Sequence, residues 1–304
     1  MSVNWQGVIP AITTPLTPDL EIDGARLQEH CQRMLAAGCV GVIPCGSLGE
    51  SATLSSDEKV EVVKHCAEAV NGGGSVVAGI ASLSTAAAVE LARGAHDAGA
   101  DGLMVLPPYA YSTDWHEMKE HVASVIAATP LPCMLYNNPV AYGTDFHPEQ
   151  IVELAREHTN LEAVKESSTD VRRITELRRV AGERLHVLVG VDDLIVEGVA
   201  AGASGWVAGL VNAFPEESVD LYDLARAGRA DEARELYEWF LPLLRLDTLP
   251  KLVQLIKLAQ ELVGQGEWHS RPPRLALTDA EREETVTIIR HALETRPARA
   301  TRVG

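Results

Sequence analysis

The chain has 304 residues, a formal net charge of -17, 46% hydrophobic residues and 23% charged ones. Such a length can bury a large core, as one α/β barrel with an appendage or as two ordinary domains, and the composition gives no sign of disorder. The acidic surplus argues against nucleic acid and anionic membrane surfaces, whose binding needs an excess of Lys and Arg, and leaves a small molecule as the expected partner.

In chain order, short apolar runs at 8–12, 40–44, 76–80, 102–106, 133–136, 161–165, 186–190 and 205–207 read as eight strands. The stretches between them space apolar residues as helices do: Leu27, Met34 and Leu35, then Val60, Val63 and Ala67, then Val89, Leu91 and Ala95. Ser55 and Glu58 form a capping-box pattern at the start of the second helix. Gly38, Gly99 and Gly202 each follow an Ala-rich helical stretch, where a left-handed cap would turn the chain back. Apolar strands alternating with helices imply a parallel sheet covered on its outer face, and eight such units predict a (β/α)₈ TIM barrel over residues 1–228. An open doubly wound sheet is the alternative, but no strand is followed by a G-x-G-x-x-G turn. Residues 229–304 predict a C-terminal helical extension packed on the barrel, with helices at 231–244, 248–262 and 279–294 and a frayed tail from Arg296.

No run reaches the roughly 18 apolar residues that a membrane span needs; the longest, 198–211, is short and glycine-rich and reads as barrel backbone. The N-terminal MSVNWQGVIPAITTP lacks the basic-then-apolar order of a leader. Cys31, Cys39, Cys45, Cys66 and Cys133 are scattered without a CxxC pair, which suggests neither disulfides nor zinc. A cytoplasmic protein without metal or cofactor is expected.

A closed parallel barrel carries its active site at the C-terminal ends of its strands. The sixth strand ends in Lys165, where burial is costly unless the amine is paired or neutral. An ion pair with Glu166 or another carboxylate is the ordinary explanation. The fifth strand, however, ends in Tyr136, and neighbouring strands lie about 4.8 Å apart, so the two side chains can meet. A neutral lysine attacks a ketone, and a phenol can carry the protons of that addition, so Lys165 and Tyr136 form a candidate catalytic pair. The second strand runs into Cys45-Gly46-Ser47-Leu48-Gly49-Glu50, whose backbone N–H groups and Ser47 hydroxyl suit a carboxylate, although alone it also reads as an ordinary loop. Small residues at 203–209 fit either close approach of a ligand or tight packing. His116 and His121 are five apart and do not share a helix face, so no H-E-x-x-H zinc site is expected and the helix reads as solvated. Asp192 and Asp193 read as acids at a helix N-terminus.

Together, Gly46 to Glu50, Tyr136-Asn137-Asn138-Pro139, Val164-Lys165-Glu166-Ser167 and Gly190-Val191-Asp192-Asp193 resemble the dihydrodipicolinate synthase and N-acetylneuraminate lyase family in order and spacing over nearly the whole chain. The resemblance implies that Lys165 forms a Schiff base with an α-keto acid and that Tyr136 relays protons. It further implies that Ser47 and the Leu48 N–H hold the substrate carboxylate, that Val207 lends its carbonyl, and that the protein is a homotetramer. The sequence departs from the synthase pattern in three places. Leu48 stands where the turn usually has a second threonine, Ala141 where an arginine grips the second substrate, and Ala110, beside Tyr111, where a tyrosine reaches a neighbouring subunit. Residues 136–143, 205–215 and 246–254 are instead similar to the branch that deaminates 1-pyrroline-4-hydroxy-2-carboxylate to 2,5-dioxopentanoate and ammonia. On that reading Asn138 and Tyr142 hold the hydroxyl or amine of a cyclic imino acid, and the apolar Leu48 suits a substrate with one carboxylate. The alternatives are a dehydratase or aldolase of 2-keto-3-deoxy sugar acids, dihydrodipicolinate synthase itself, and, outside catalysis, a keto-acid-binding sensor.

Overall fold

The computed structural model describes residues 2–108 and 114–298, so Ala110, Tyr111 and the end of the tail fall outside the described residues. Eight strands form one parallel sheet: β1 Gly7–Pro10, β2 Gly41–Val42, β3 Ser75–Ile80, β4 Gly102–Val105, β5 Cys133–Asn137, β6 Leu161–Glu166, β7 His186–Val189 and β8 Gly205–Ala208. Their order is β1-β8-β7-β6-β5-β4-β3-β2. Hydrogen bonds from Val40 N to Val8 O (3.1 Å) and from Ile43 N to Pro10 O (2.7 Å) bring β2 back to β1, so the sheet closes into the (β/α)₈ barrel expected from the eight apolar runs.

Between the strands run α1 Gly24–Ala37, α2 Ser56–Val70, α3 Thr85–Asp97, α4 Trp115–Ala127, the single turn α5 Pro139–Tyr142, α6 Pro148–Glu157, α7 Arg172–Ala181, α8 Ile195–Ala200 and α9 Pro215–Arg226. Alternate strand residues point to opposite faces. Ile9, Ile43, Val77, Met104, Met134 and Leu188 belong to one buried cluster that fills the barrel, and a larger cluster packs between barrel and helices. The local signals act as read: Ser55 and Glu58 make both capping-box bonds, and Gly38, Gly99 and Gly202 take φ of 110°, 96° and 104°. His121 departs from the solvated reading of its helix, being buried against Thr85 Oγ1 at 3.0 Å. No helix among the described residues is long and apolar enough to cross a membrane, and the five cysteines are buried and form no disulfide among the described residues.

The extension contains α10 Ala230–Leu244, α11 Leu252–Leu262 and α12 Asp279–Glu294. Its second helix begins four residues later than the sequence pattern indicates. Arg245–Thr248 forms a 3-10 turn and Leu249 is extended, because Pro250 disfavours helical backbone in the residue before it.

One buried ion pair ties this extension to the loop after β2. Lys257 of α11 donates to Glu50 Oε1 at 2.5 Å, to Thr14 O at 2.9 Å and to His269 O at 2.6 Å, and Glu50 Oε2 accepts from Arg271 N at 3.0 Å. Both side chains are almost fully buried. Removing Glu50 leaves Lys257 as an uncompensated buried charge, and removing Lys257 leaves Glu50 only the more distant Arg274 Nη1, at 3.7 Å. Lys257→Met is therefore expected to cost about 3 kcal/mol, read as a lower urea midpoint, whereas the double variant Lys257→Met with Glu50→Gln should recover much of that loss.

Candidate active site

Strands β5 and β6 pair with Tyr136 opposite Lys165, which fixes the two side chains side by side at the C-terminal end of the barrel. Lys165 is 7% exposed, and its Nζ sits 4.1 Å from the centre of the Tyr136 ring. The pair meets through a cation on an aromatic face and not through the phenol hydroxyl. Lys165 makes no hydrogen bond or ion pair among the described residues. Glu166 does not neutralise it, because that carboxyl accepts from Asn137 Nδ2 at 3.1 Å and from Ser168 N at 2.7 Å. Burial also pushes the Glu166 carboxyl above the ordinary carboxylate range, against the pull of those hydrogen bonds. The lysine stem runs beside Gly190, where a Cβ would meet Lys165 Cε at 2.6 Å, Cγ at 2.7 Å and Ser167 Oγ at 2.0 Å. That Ser167 hydroxyl is buried without a hydrogen-bond partner among the described residues.

The residues around Tyr136 are tied to one another. Asn138 caps α5, its Oδ1 accepting from Ala141 N at 2.9 Å, while its Nδ2 donates to the Tyr136 hydroxyl at 3.0 Å. Tyr142 meets the Tyr136 ring edge-on at 5.7 Å, and its hydroxyl shares a hydrogen bond with Ser47 Oγ. Asn138 and Tyr142, expected from the sequence to face the substrate directly, are thus engaged with Tyr136 and Ser47. A tyrosine, a serine and the lysine stand together in one subunit.

The turn after β2 is bent by two left-handed residues and leaves backbone donors open among the described residues. Cys45 and Glu50 both take φ of 59°, and the N–H groups of Ser47 and Leu48 donate to no protein acceptor among the described residues, which leaves them free to converge on a carboxylate. Leu48 itself is buried in the cluster between barrel and helices. Val207, on β8, is buried in the interior cluster.

Two acids come to this end of the barrel in roles that sequence reasoning missed. Asp192 is fully buried and accepts from Trp206 Nε1 at 3.0 Å, Gly209 N at 3.1 Å and Leu210 N at 2.7 Å. Burial nonetheless pushes its carboxyl up to about 6, against those hydrogen bonds and the Lys165 charge. Asp247 comes from the turn Arg245–Thr248, and its carboxyl touches the space beside Gly209. Nothing in the local pattern around Leu246-Asp247-Thr248 signals that position, since it lies nearly forty residues beyond the last strand. No group of three or more His, Cys, Asp or Glu among the described residues is arranged to hold a metal.

Known proteins match over nearly the full length. The model of the dihydrodipicolinate synthetase family matches residues 4–292. The 4-hydroxy-tetrahydrodipicolinate synthase of Methanopyrus kandleri is 36% identical over 295 residues, covering 97% of each chain. That of Natronomonas pharaonis is 40% identical over 233 residues, covering 76% of this chain and 79% of its own. Among solved structures, a prophage protein of the dihydrodipicolinic acid synthase family from E. coli K12 in complex with pyruvate superposes with a TM-score of 0.89 at 26% identity, covering 95% of this chain and 99% of its own.

The packing of the lysine stem gives a direct check. Gly190→Ala is expected to displace Lys165 and Ser167, to lower the thermal midpoint as overpacking does, and to slow borohydride-trapped adduct formation with pyruvate by about 10²-fold in the protein that remains folded. An unaltered trapping rate would show that the stem does not depend on the space beside Gly190.

Proposed function

The chain belongs to the dihydrodipicolinate synthetase family and is an enzyme of its lysine Schiff-base class, and from that premise we propose that it opens and deaminates a small hydroxylated cyclic imino acid, 1-pyrroline-4-hydroxy-2-carboxylate, to 2,5-dioxopentanoate and ammonia. The sensor alternative gives way, because the matched proteins are enzymes. The observation that carries the reading is the arrangement around Tyr136. The position that would bring an arginine to a second carboxylate is Ala141, and the next residue, Tyr142, spends its hydroxyl on Ser47. The site so built provides for one carboxylate.

In this mechanism the substrate carboxylate lies on the Ser47 hydroxyl and the Leu48 N–H. Neutral Lys165 adds to the ring C2, and the C2–N bond breaks to leave an open-chain imine on the enzyme. The protonated imine withdraws electrons, so Tyr136 can take a C3 proton. The resulting enamine pair forms the C3–C4 double bond as the C4 hydroxyl leaves. Proton shifts then carry unsaturation to C5, and hydrolysis there and at C2 releases ammonia, the dioxo acid and free Lys165. Asn138 holds the Tyr136 hydroxyl, and the Val207 carbonyl lies near the imine. A homotetramer is the assembly proposed with it.

A second reading is condensation of pyruvate with an aldehyde, as in 4-hydroxy-tetrahydrodipicolinate synthase. The names of the relatives back it better than they back deamination; what supports deamination is Ala141, the Tyr142–Ser47 pair and the likeness of residues 136–143, 205–215 and 246–254 to the deaminating branch. The two separate in one set of assays. Incubation with pyruvate and borohydride is expected to leave an adduct on the peptide containing Lys165, and Lys165→Met should abolish it together with all turnover. Ammonia release from the hydroxylated cyclic imine, without condensation of pyruvate and aspartate semialdehyde, is the expected outcome. Condensation without ammonia release would decide for the synthase.

A further inference from the structure

The mouth of the barrel holds ionisable groups that the proposed mechanism does not use. The 3-10 turn Arg245–Thr248 of the extension packs on the turn Asp192–Leu194 that follows β7, with Arg245 Nε 3.6 Å from Asp193. From there Asp247 reaches over the end of β8, where a Cβ on Gly209 would meet Asp247 Oδ1 at 2.0 Å and Cγ at 2.5 Å. Only a glycine at 209 leaves room for this carboxyl. The Gly209 N–H at the same time donates to both oxygens of Asp192 at 3.1 Å, so two carboxyls from distant parts of the chain converge on one residue.

We propose, on the reading that Lys165 carries the substrate as an imine, that Asp247 donates the proton to the hydroxyl that leaves C4. The C4–O bond breaks with its electron pair going to oxygen, the Asp247 proton completes a water molecule, and the Asp247 carboxylate regains a proton from water at the mouth. Asp192 receives three donors, whereas the Asp247 carboxyl accepts no hydrogen bond and makes no ion pair among the described residues. Asp192 is therefore equipped to hold negative charge and Asp247 to hold a proton. Burial, and then the charge of Asp192 with that of Asp193, hold the Asp247 carboxyl well above its ordinary range, with Lys165 the opposing influence. Two carboxyls with unequal surroundings divide into an acid and a base. Among the described residues, other charged or titratable groups facing this cluster are Arg245, directed at Asp193, Tyr237, whose hydroxyl donates to the Asp193 carbonyl, and Glu197, whose carboxylate lies 3.4 Å from that hydroxyl.

The test compares the hydroxylated cyclic imine with its 4-fluoro counterpart, from which fluoride leaves without a proton. Asp247→Asn is expected to keep borohydride-trapped pyruvate on Lys165 and to lower kcat for ammonia release from the hydroxylated substrate by about 10²-fold or more, with the fluoro substrate turned over nearly as fast as by the wild type. In the wild type, kcat on the hydroxylated substrate should fall as pH rises through the raised Asp247 value, while kcat on the fluoro substrate stays level; this comparison stands even if the variant does not fold. Equal losses on both substrates, no loss on either, or the same alkaline fall with both would overturn the assignment. Absence of ammonia release by the wild type would instead remove the elimination reading, and this step with it.

Discussion

The pairing of β5 with β6 governs the site. With Tyr136 and Lys165 opposite each other in a parallel ladder, their side chains are set by backbone hydrogen bonds that the whole closed barrel maintains, and neither depends on a mobile loop for its position. The lysine cation then rests on the tyrosine face at 4.1 Å, in a place where Glu166 is already engaged by Asn137 and Ser168. A buried amine without a carboxylate partner is costly in a structural role and useful in a nucleophilic one.

Around that pair the supporting contacts leave little freedom. Asn138 both caps α5 and holds the Tyr136 hydroxyl, so the single helical turn after β5 and the orientation of the phenol are one construction. Tyr142 closes the same turn and reaches Ser47, which links the surroundings of Tyr136 to the turn after β2. Gly190 and Gly209 leave the space that the Lys165 stem and the Asp247 carboxyl occupy. Their value lies in what they lack, since a methyl group at either position would collide with one of those two side chains.

The helical extension is part of this arrangement. Lys257 reaches from α11 into the barrel to hold Glu50, the last residue of the turn after β2, and Asp247 comes from the turn before α11 to stand over β8. Truncation at the end of the eighth βα unit would therefore leave a barrel with an unpaired buried glutamate and an incomplete mouth.

The sequence by itself determined the eight strands, the caps at Ser55, Gly38, Gly99 and Gly202, and the meeting of Lys165 with Tyr136, because these follow from apolar periodicity, local backbone chemistry and the fixed geometry of a parallel ladder. It also marked the turn at Ser47, though not that Leu48 is buried in the cluster between barrel and helices. Tertiary structure alone decided that Lys165 meets the ring of Tyr136, that Asn138 and Tyr142 are tied to Tyr136 and Ser47, that Asp192 is buried, and that Asp247 and Lys257 reach the barrel from the extension. Each of those contacts depends on a side-chain direction or on segments far apart along the chain, and local periodicity carries no information about either.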